Sequence, residues 1–140
     1  MLYLLDTNIL VAYVRQGKLG AFIEAKYALT RTTPVPILSV VVEGEVRALG
    51  AEFSWDASKM QDLRDLLSYF TVIPLPFASI IDAYVQISEY SRRTGRTMGK
   101  NDLWIAATVM ATGATLLTTD KDFDHLDPTF LTRDWIDPTS

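Results

Sequence analysis

The 140-residue chain is 49% hydrophobic, enough to bury one sizeable core, and has no cysteine, which excludes disulfides, thiolate-bound metals and thiol nucleophiles. Its one histidine, His125, argues against a serine–histidine hydrolase or a histidine-rich zinc site, and its net charge of −4 against a nucleic-acid partner unless a bound cation offsets it. No apolar run approaches the ~20 residues of a membrane span and no charged stretch precedes the first one, so a cytoplasmic protein is expected.

Taken in chain order, Tyr3–Leu5 reads as a first strand, and a helix is expected from Asn8 to near Arg15, broken at Gly17. A second helix, about Leu19–Leu29, precedes the Pro34-Val35-Pro36 turn. Ile37–Val40 is the second predicted strand, and Val42–Gly50 a helix carrying Glu43, Glu45 and Arg47. Ser54 or Asp56 can cap the next helix, expected to reach Tyr69; Thr71–Pro74 is a third strand closed by Pro74 and Pro76. Ala78–Thr94 is predicted as a long helix stopped by Gly95, and Asn101 as the cap of a helix through Ala111, with Gly113 near its end. Thr115–Thr118 is the fourth strand and Asp134–Ile136 a short last one. Strands separated by helices need right-handed crossovers and hence a parallel α/β sheet, here expected as one domain over residues 1–140.

Ligands of such sheets bind beyond the carboxyl ends of the strands. Acids stand at boundaries of that kind: Asp6 after the first strand, Glu45 after the second, Asp120 after the fourth, and Asp102 at a helix start. Carboxylates gathered at one sheet edge repel one another; a divalent cation removes that conflict, and oxygen-only ligands suit magnesium or manganese. Each acid also has a plain structural reading. Asp6 in Asp6-Thr7-Asn8 is a good helix cap, Glu45 a mid-helix glutamate facing water, and Asp102 a partner for the helix dipole. Asp120-Lys121-Asp122-Phe123-Asp124 reads as a turn with Phe123 tucked inward. Asp102 tilts toward function, because Leu103-Trp104-Ile105-Ala106-Ala107 is almost wholly apolar and an acid at the start of a buried helix needs a partner.

Four blocks in order carry a resemblance: Leu5-Asp6-Thr7-Asn8, Ser39-Val40-Val41-Val42-Glu43-Gly44-Glu45, Asn101-Asp102-Leu103-Trp104-Ile105-Ala106-Ala107 and Leu117-Thr118-Thr119-Asp120-Lys121-Asp122-Phe123. Over essentially the whole chain they resemble the PIN-domain ribonucleases and, within them, the VapC-type toxins of bacterial and archaeal toxin–antitoxin pairs. The resemblance implies a PIN-like three-layer α/β/α fold with a central parallel sheet, and an endoribonuclease centre holding Mg2+ or Mn2+. Carried over by position, Asp6, Glu45, Asp102 and Asp120 are the catalytic acids, and Asp6, Asp102 and Asp120 the metal ligands. Asn8, Thr118 and Asp122 are supporting groups. Glu45 rather than Glu43 takes the glutamate position because it follows Gly44. Members usually act as homodimers and, as toxins, are neutralised by a small antitoxin, so RNA, a second copy and an antitoxin are the implied partners.

Two other magnesium-using classes fit less well. A haloacid-dehalogenase-type phosphatase needs a second acid two positions after the first, where Asn8 stands. A response-regulator receiver needs an aspartate ending the third strand, where Thr71-Val72-Ile73-Pro74-Leu75-Pro76 has none. A housekeeping PIN nuclease, and a PIN module that binds RNA or a partner without cutting, stay open as alternatives. Arg92, Arg93, Arg96 and Lys100 read equally as an RNA-binding surface, helped by Arg15 and Lys18, and as a solvated helix end. Phe22, Tyr27, Leu29, Trp55, Tyr69, Phe70, Tyr84 and Tyr90 exceed what one small sheet is expected to cover. Beside ordinary core roles, they leave room for an apolar docking face.

Overall fold

A computed structural model describes every residue from Met1 to Ser140. Five strands, β1 (Tyr3–Leu5), β2 (Ile37–Ser39), β3 (Thr71–Ile73), β4 (Thr115–Thr118) and β5 (Thr132–Trp135), pair in parallel in the order β3-β2-β1-β4-β5. Leu4 sits at the centre, in register with Ile37 on one side and Leu116 on the other. Both faces of the central strands are covered. Leu4, Leu5, Leu116 and Leu117 are therefore fully buried, and consecutive leucines in β1 and β4 replace the alternation of a half-exposed strand.

Helices α1 (Thr7–Arg15) and α2 (Lys18–Tyr27) join β1 to β2, and α3 (Val40–Glu52) and α4 (Ala57–Leu67) join β2 to β3. The chain returns to β4 through α5 (Ala78–Arg93) and α6 (Lys100–Thr112). Right-handed crossovers stepping outward from β1 put α1 to α4 on one face; the return crossing, in the opposite direction, puts α5 and α6 on the other. The fold has three layers, α/β/α. Strand order reverses between β1 and β4, and the crevice outside their carboxyl ends is where this architecture binds ligands. No helix is long and apolar enough to cross a membrane.

Local chemistry sets the element boundaries. Ser39 both ends β2 and caps α3, its Oγ accepting from the Val41 N–H at 3.1 Å, so the helix begins at Val40 rather than Val42 and the strand stops one residue before Val40. Asp56, not Ser54, caps α4 through the Lys59 N–H at 2.8 Å. Asn101 does not cap α6: Gly99 holds that place, and Asn101 lies in the first turn. Gly113 takes the left-handed conformation (φ 71°) that ends α6, which glycine adopts without steric cost. β5 starts at Thr132, in register with Thr115, and ends at Trp135, earlier than the expected Asp134–Ile136.

Of the large residues expected in excess, Leu29 and Phe70 are core, Tyr27, Trp55, Tyr84 and Tyr90 are half-buried, and only Phe22 and Tyr69 are exposed. Tyr84 stacks on Trp104 between α5 and α6, with ring centres 4.0 Å apart. Among the exposed apolar side chains, Phe77 at the cap of α5 and Ile81 and Val85 within it fall four residues apart on one side.

Candidate active site

Asp6 leaves β1 with its N–H donating to the Leu117 carbonyl of β4 at 3.0 Å, and it is 5% exposed. Its Oδ1 accepts from the Thr7 N–H at 2.8 Å; its Oδ2 accepts from the Thr118 hydroxyl at 2.7 Å and the Asn8 amide at 3.2 Å. Asp6 is thus the cap of α1 as well as a member of the site. The buried Thr118 Oγ accepts in turn from the Asp120 N–H at 2.9 Å, and Asn8 Oδ1 from the Thr119 N–H at 3.1 Å. These bonds lace the exits of β1 and β4 together and fix Asp6 relative to Asp120. Burial pushes the Asp6 carboxyl upward; hydrogen bonds from Thr118 and Thr7 oppose the rise, and the charges of Glu45 and Asp120 add to it.

Glu45 arrives from α3. Its Oε1 accepts from the Thr7 hydroxyl at 2.8 Å and its Oε2 from the Asn101 amide at 3.1 Å, so groups on α1 and α6 hold both oxygens. Glu43 pairs instead with Arg47, one turn along α3, at 3.7 Å. Asp102, in the first turn of α6, is half-buried and pushed up to about 7, first by burial and then by the charges of Asp6, Asp120, Glu45 and Asp122. After β4 the chain turns so that the Asp122 N–H donates to Asp120 Oδ1 at 2.9 Å. Asp122 is raised chiefly by the charge of Asp120.

Asp6, Glu45, Asp102 and Asp120 line one cavity of about 580 Å³, a size suited to a small ligand or a segment of a larger one. Arg15 and Lys18 line the same cavity, and Val11, Leu19, Leu49 and Phe53 form its apolar wall. Arg92, Arg93, Arg96 and Lys100 do not line it; they are exposed from the end of α5 to the start of α6. Arg92 pairs with Glu89 at 2.6 Å, and the Arg93 guanidinium lies 5.8 Å from the Tyr90 ring centre. The model of one protein family, the PIN domain, matches residues 3–128. The chain belongs to the PIN domain family.

Solved structures share this PIN fold. VapBC2 from Rickettsia felis, bound to a DNA fragment from its promoter, is 23% identical with a TM-score of 0.81, covering 98% of this chain and 100% of its own. VapBC-1 from nontypeable Haemophilus influenzae is 24% identical with a TM-score of 0.75, covering 96% and 98%. A toxin–antitoxin complex from Klebsiella pneumoniae is 25% identical with a TM-score of 0.66, covering 89% and 92%. No curated protein matches the sequence. Membership sets the acidic cavity within a family of nucleases.

In this PIN domain, carboxylate oxygens of Asp102, Asp120 and Asp122 lie within 4.8 Å of one another. Burial first, and then the charges of Asp6, Asp120, Glu45 and Asp122, raise Asp102, and a cation relieves the part that comes from charge. An all-oxygen cluster of this kind fits magnesium or manganese. The tightest grouping includes Asp122, where the sequence pointed to Asp6. Asp6 lines the same cavity, but three of its roughly four acceptor positions are taken by Thr7, Asn8 and Thr118. Thr7 and Asn101, the donors that hold Glu45, were not recognised from the sequence. Asp6-Thr7-Asn8 does display a hydroxyl beside an acid, but no local signal pairs Asn101 with a glutamate 56 residues away.

Proposed function

We propose that this PIN domain is a magnesium- or manganese-dependent endoribonuclease that hydrolyses RNA phosphodiester bonds, and that it is the toxin of a VapBC-type pair. The convergence of Asp6, Glu45, Asp102 and Asp120 on one cavity, with Asp122 beside two of them, carries the nuclease reading. Asp6, Asp102 and Asp120 would hold the ion, with Asp122 assisting, and Glu45 completes the catalytic acids. When bound, a divalent ion would supply Lewis acidity to a nearby water and positive charge to the scissile phosphate. Asp120 or Asp102 orients the attacking water and takes its proton. The water oxygen adds to phosphorus in line with the departing ester oxygen, one P–O ester bond breaks, and no covalent enzyme intermediate forms. Thr118 and Asn8 keep Asp6 in place, while Thr7 and Asn101 keep the Glu45 carboxylate directed into the cavity. Arg92, Arg93, Arg96 and Lys100 serve as phosphate contacts outside it.

The toxin reading draws support from the fold's relatives, which include two VapBC pairs and a toxin–antitoxin complex. A small antitoxin whose arm occupies the groove leading to Asp6 and Asp120 would exclude RNA from the acids. The Phe77, Ile81 and Val85 stripe supports a homodimer. Cutting cellular RNA suits a cytoplasmic location. The test is cellular RNA incubated with chelator-treated protein, with and without added Mg2+ or Mn2+. Discrete fragments are expected only with the ion. A folded protein that cuts with neither ion is a non-catalytic PIN module instead. One that cuts, yet is harmless when expressed and has no partner encoded beside it, is a housekeeping nuclease.

A further inference from the structure

Asp120 and Asp122 stand on the loop between β4 and β5, and that loop is anchored by Phe123 and Leu126, both fully enclosed in the core. Between the two anchors His125, the chain's one histidine, turns to α5. Its Nε2 lies 2.9 Å from the hydroxyl of Ser91, a residue only 2% exposed. Its ring is within 4° of parallel to that of Tyr90, with centres 6.3 Å apart. The ring also hydrogen-bonds the backbone of Asp122. A carbonyl can only accept, so the nitrogen facing it, Nδ1, carries the proton, and Nε2 is left to accept from Ser91. Ser91 has a second acceptor in reach, the Met98 sulfur at 3.3 Å, but a thioether accepts weakly. Closed off from solvent, Ser91 is no nucleophile; the pair is a strut between α5 and the acid loop.

We propose that His125 is a positioning residue for the ion-binding acids: steadied through Nε2 by Ser91 of α5, it holds the Asp122 carbonyl through Nδ1 and so fixes the loop that presents Asp120 and Asp122 to Asp102. That role presupposes the metal-dependent nuclease reading and adds to it a residue outside the cavity. The backbone of Asp122 is held on both sides, its N–H donating to Asp120 Oδ1 at 2.9 Å and its carbonyl meeting the ring. The first bond is internal to the loop; the second ties the loop to α5. Helix α5 packs on α6, whose first turn carries Asp102, so Ser91 and Asp102 belong to one helical layer. Carboxylate oxygens of Asp102, Asp120 and Asp122 within 4.8 Å of one another repel, and the loop bearing two of them yields more readily than a helix does. His125 opposes that retreat.

Binding of Mn2+ to the full chain, read from the electron paramagnetic resonance signal of the free ion, tests the role without any cleavage step. His125→Ala should weaken binding about tenfold or more, the usual loss when a group supporting a metal ligand is removed. Ser91→Ala should weaken it in the same direction. His125→Asn places an amide N–H where Nδ1 stands and should restore most of the affinity. His125→Gln places it where Nε2 stands, reaches Ser91 instead of the carbonyl, and should not. A histidine that served only packing would give no such split between the two amides. Urea unfolding of each variant in chelator identifies those that fold. Mn2+ affinity equal in the wild type and a folded His125→Ala overturns the positioning role alone. Should the alanine variant not fold, equal affinity in His125→Asn and His125→Gln overturns it in the same way. A folded wild type that binds no Mn2+ overturns both the role and the metal-dependent reading beneath it.

Discussion

The Thr118 hydroxyl is one small group with three partners: it donates to Asp6 and accepts from the Asp120 N–H and, at 3.5 Å, from the Asn8 amide, in a position with no solvent exposure. Thr118→Val keeps the shape and removes all three bonds, leaving the Asp6 carboxyl buried with one donor fewer. Unfolding in urea should show a loss of about 1–3 kcal/mol, together with weaker nuclease activity; an unchanged midpoint would show that Asp6 finds another donor. Asp102 behaves differently because its neighbours are acids. Burial and their charges raise its folded-state value to about 7, so the folded protein keeps a proton on Asp102 over a range in which the unfolded chain, at about 4, has lost it. Stability without metal therefore falls as pH rises across that interval. The melting temperature of chelator-treated protein should drop from about pH 5 to about pH 8, and Asp102→Asn should flatten the drop. Added Mg2+ should restore wild-type stability at the higher pH, by about 2.7 kcal/mol at a hundred times its dissociation constant, and Asp102→Asn much less. Equal pH slopes and equal responses to Mg2+ in both proteins would contradict the crowding argument.

At the scale of elements, α1 and α2 cross closely enough that Gly20 has no room for a side chain: an added Cβ would lie 2.5 Å from the Ala12 carbonyl oxygen. Gly20→Ala should cost about 1–3 kcal/mol in thermal or urea unfolding, and since both helices line the cavity it should disturb the site; full stability would mean that the helices shift freely. Elements bounded by abrupt local signals were legible in the sequence. Tyr3–Leu5 and Thr115–Thr118 are strands over the residues expected, because each holds a buried leucine pair and is followed by polar or acidic residues. The start of α3 was misplaced because Val40, Val41 and Val42 look like strand, whereas Ser39 captures the Val41 N–H and begins the helix there. Asn101 was misread for a similar reason: a residue that often caps helices has its amide committed to Glu45 across the fold. Asp6 and Asp120 were visible because residues just past the ends of parallel strands emerge at one edge of the sheet; Glu45, inside α3, has no such local signal, and Asp102 stood out as an acid at the start of an apolar helix. The Arg15–Phe53 end of the cavity was not visible, since it arises from two helices lying side by side.

For the whole molecule, the stripe along α5 is an exposed apolar feature, and Val85→Glu together with Ile81→Glu should convert the proposed dimer to a monomer in light scattering without altering the fold. A wild-type protein that is monomeric at every concentration would remove the homodimer. The proposed catalysis requires the acids at the carboxyl edge of the sheet to act together on RNA. The most direct test compares wild type with Asp6→Asn and Asp102→Asn, all shown folded by circular dichroism, in cleavage of cellular RNA with and without Mn2+. Ion-dependent cutting by the wild type is expected, with a fall of about a hundredfold or more in each variant. Undiminished cutting by Asp6→Asn in the presence of the ion would contradict the proposed catalysis.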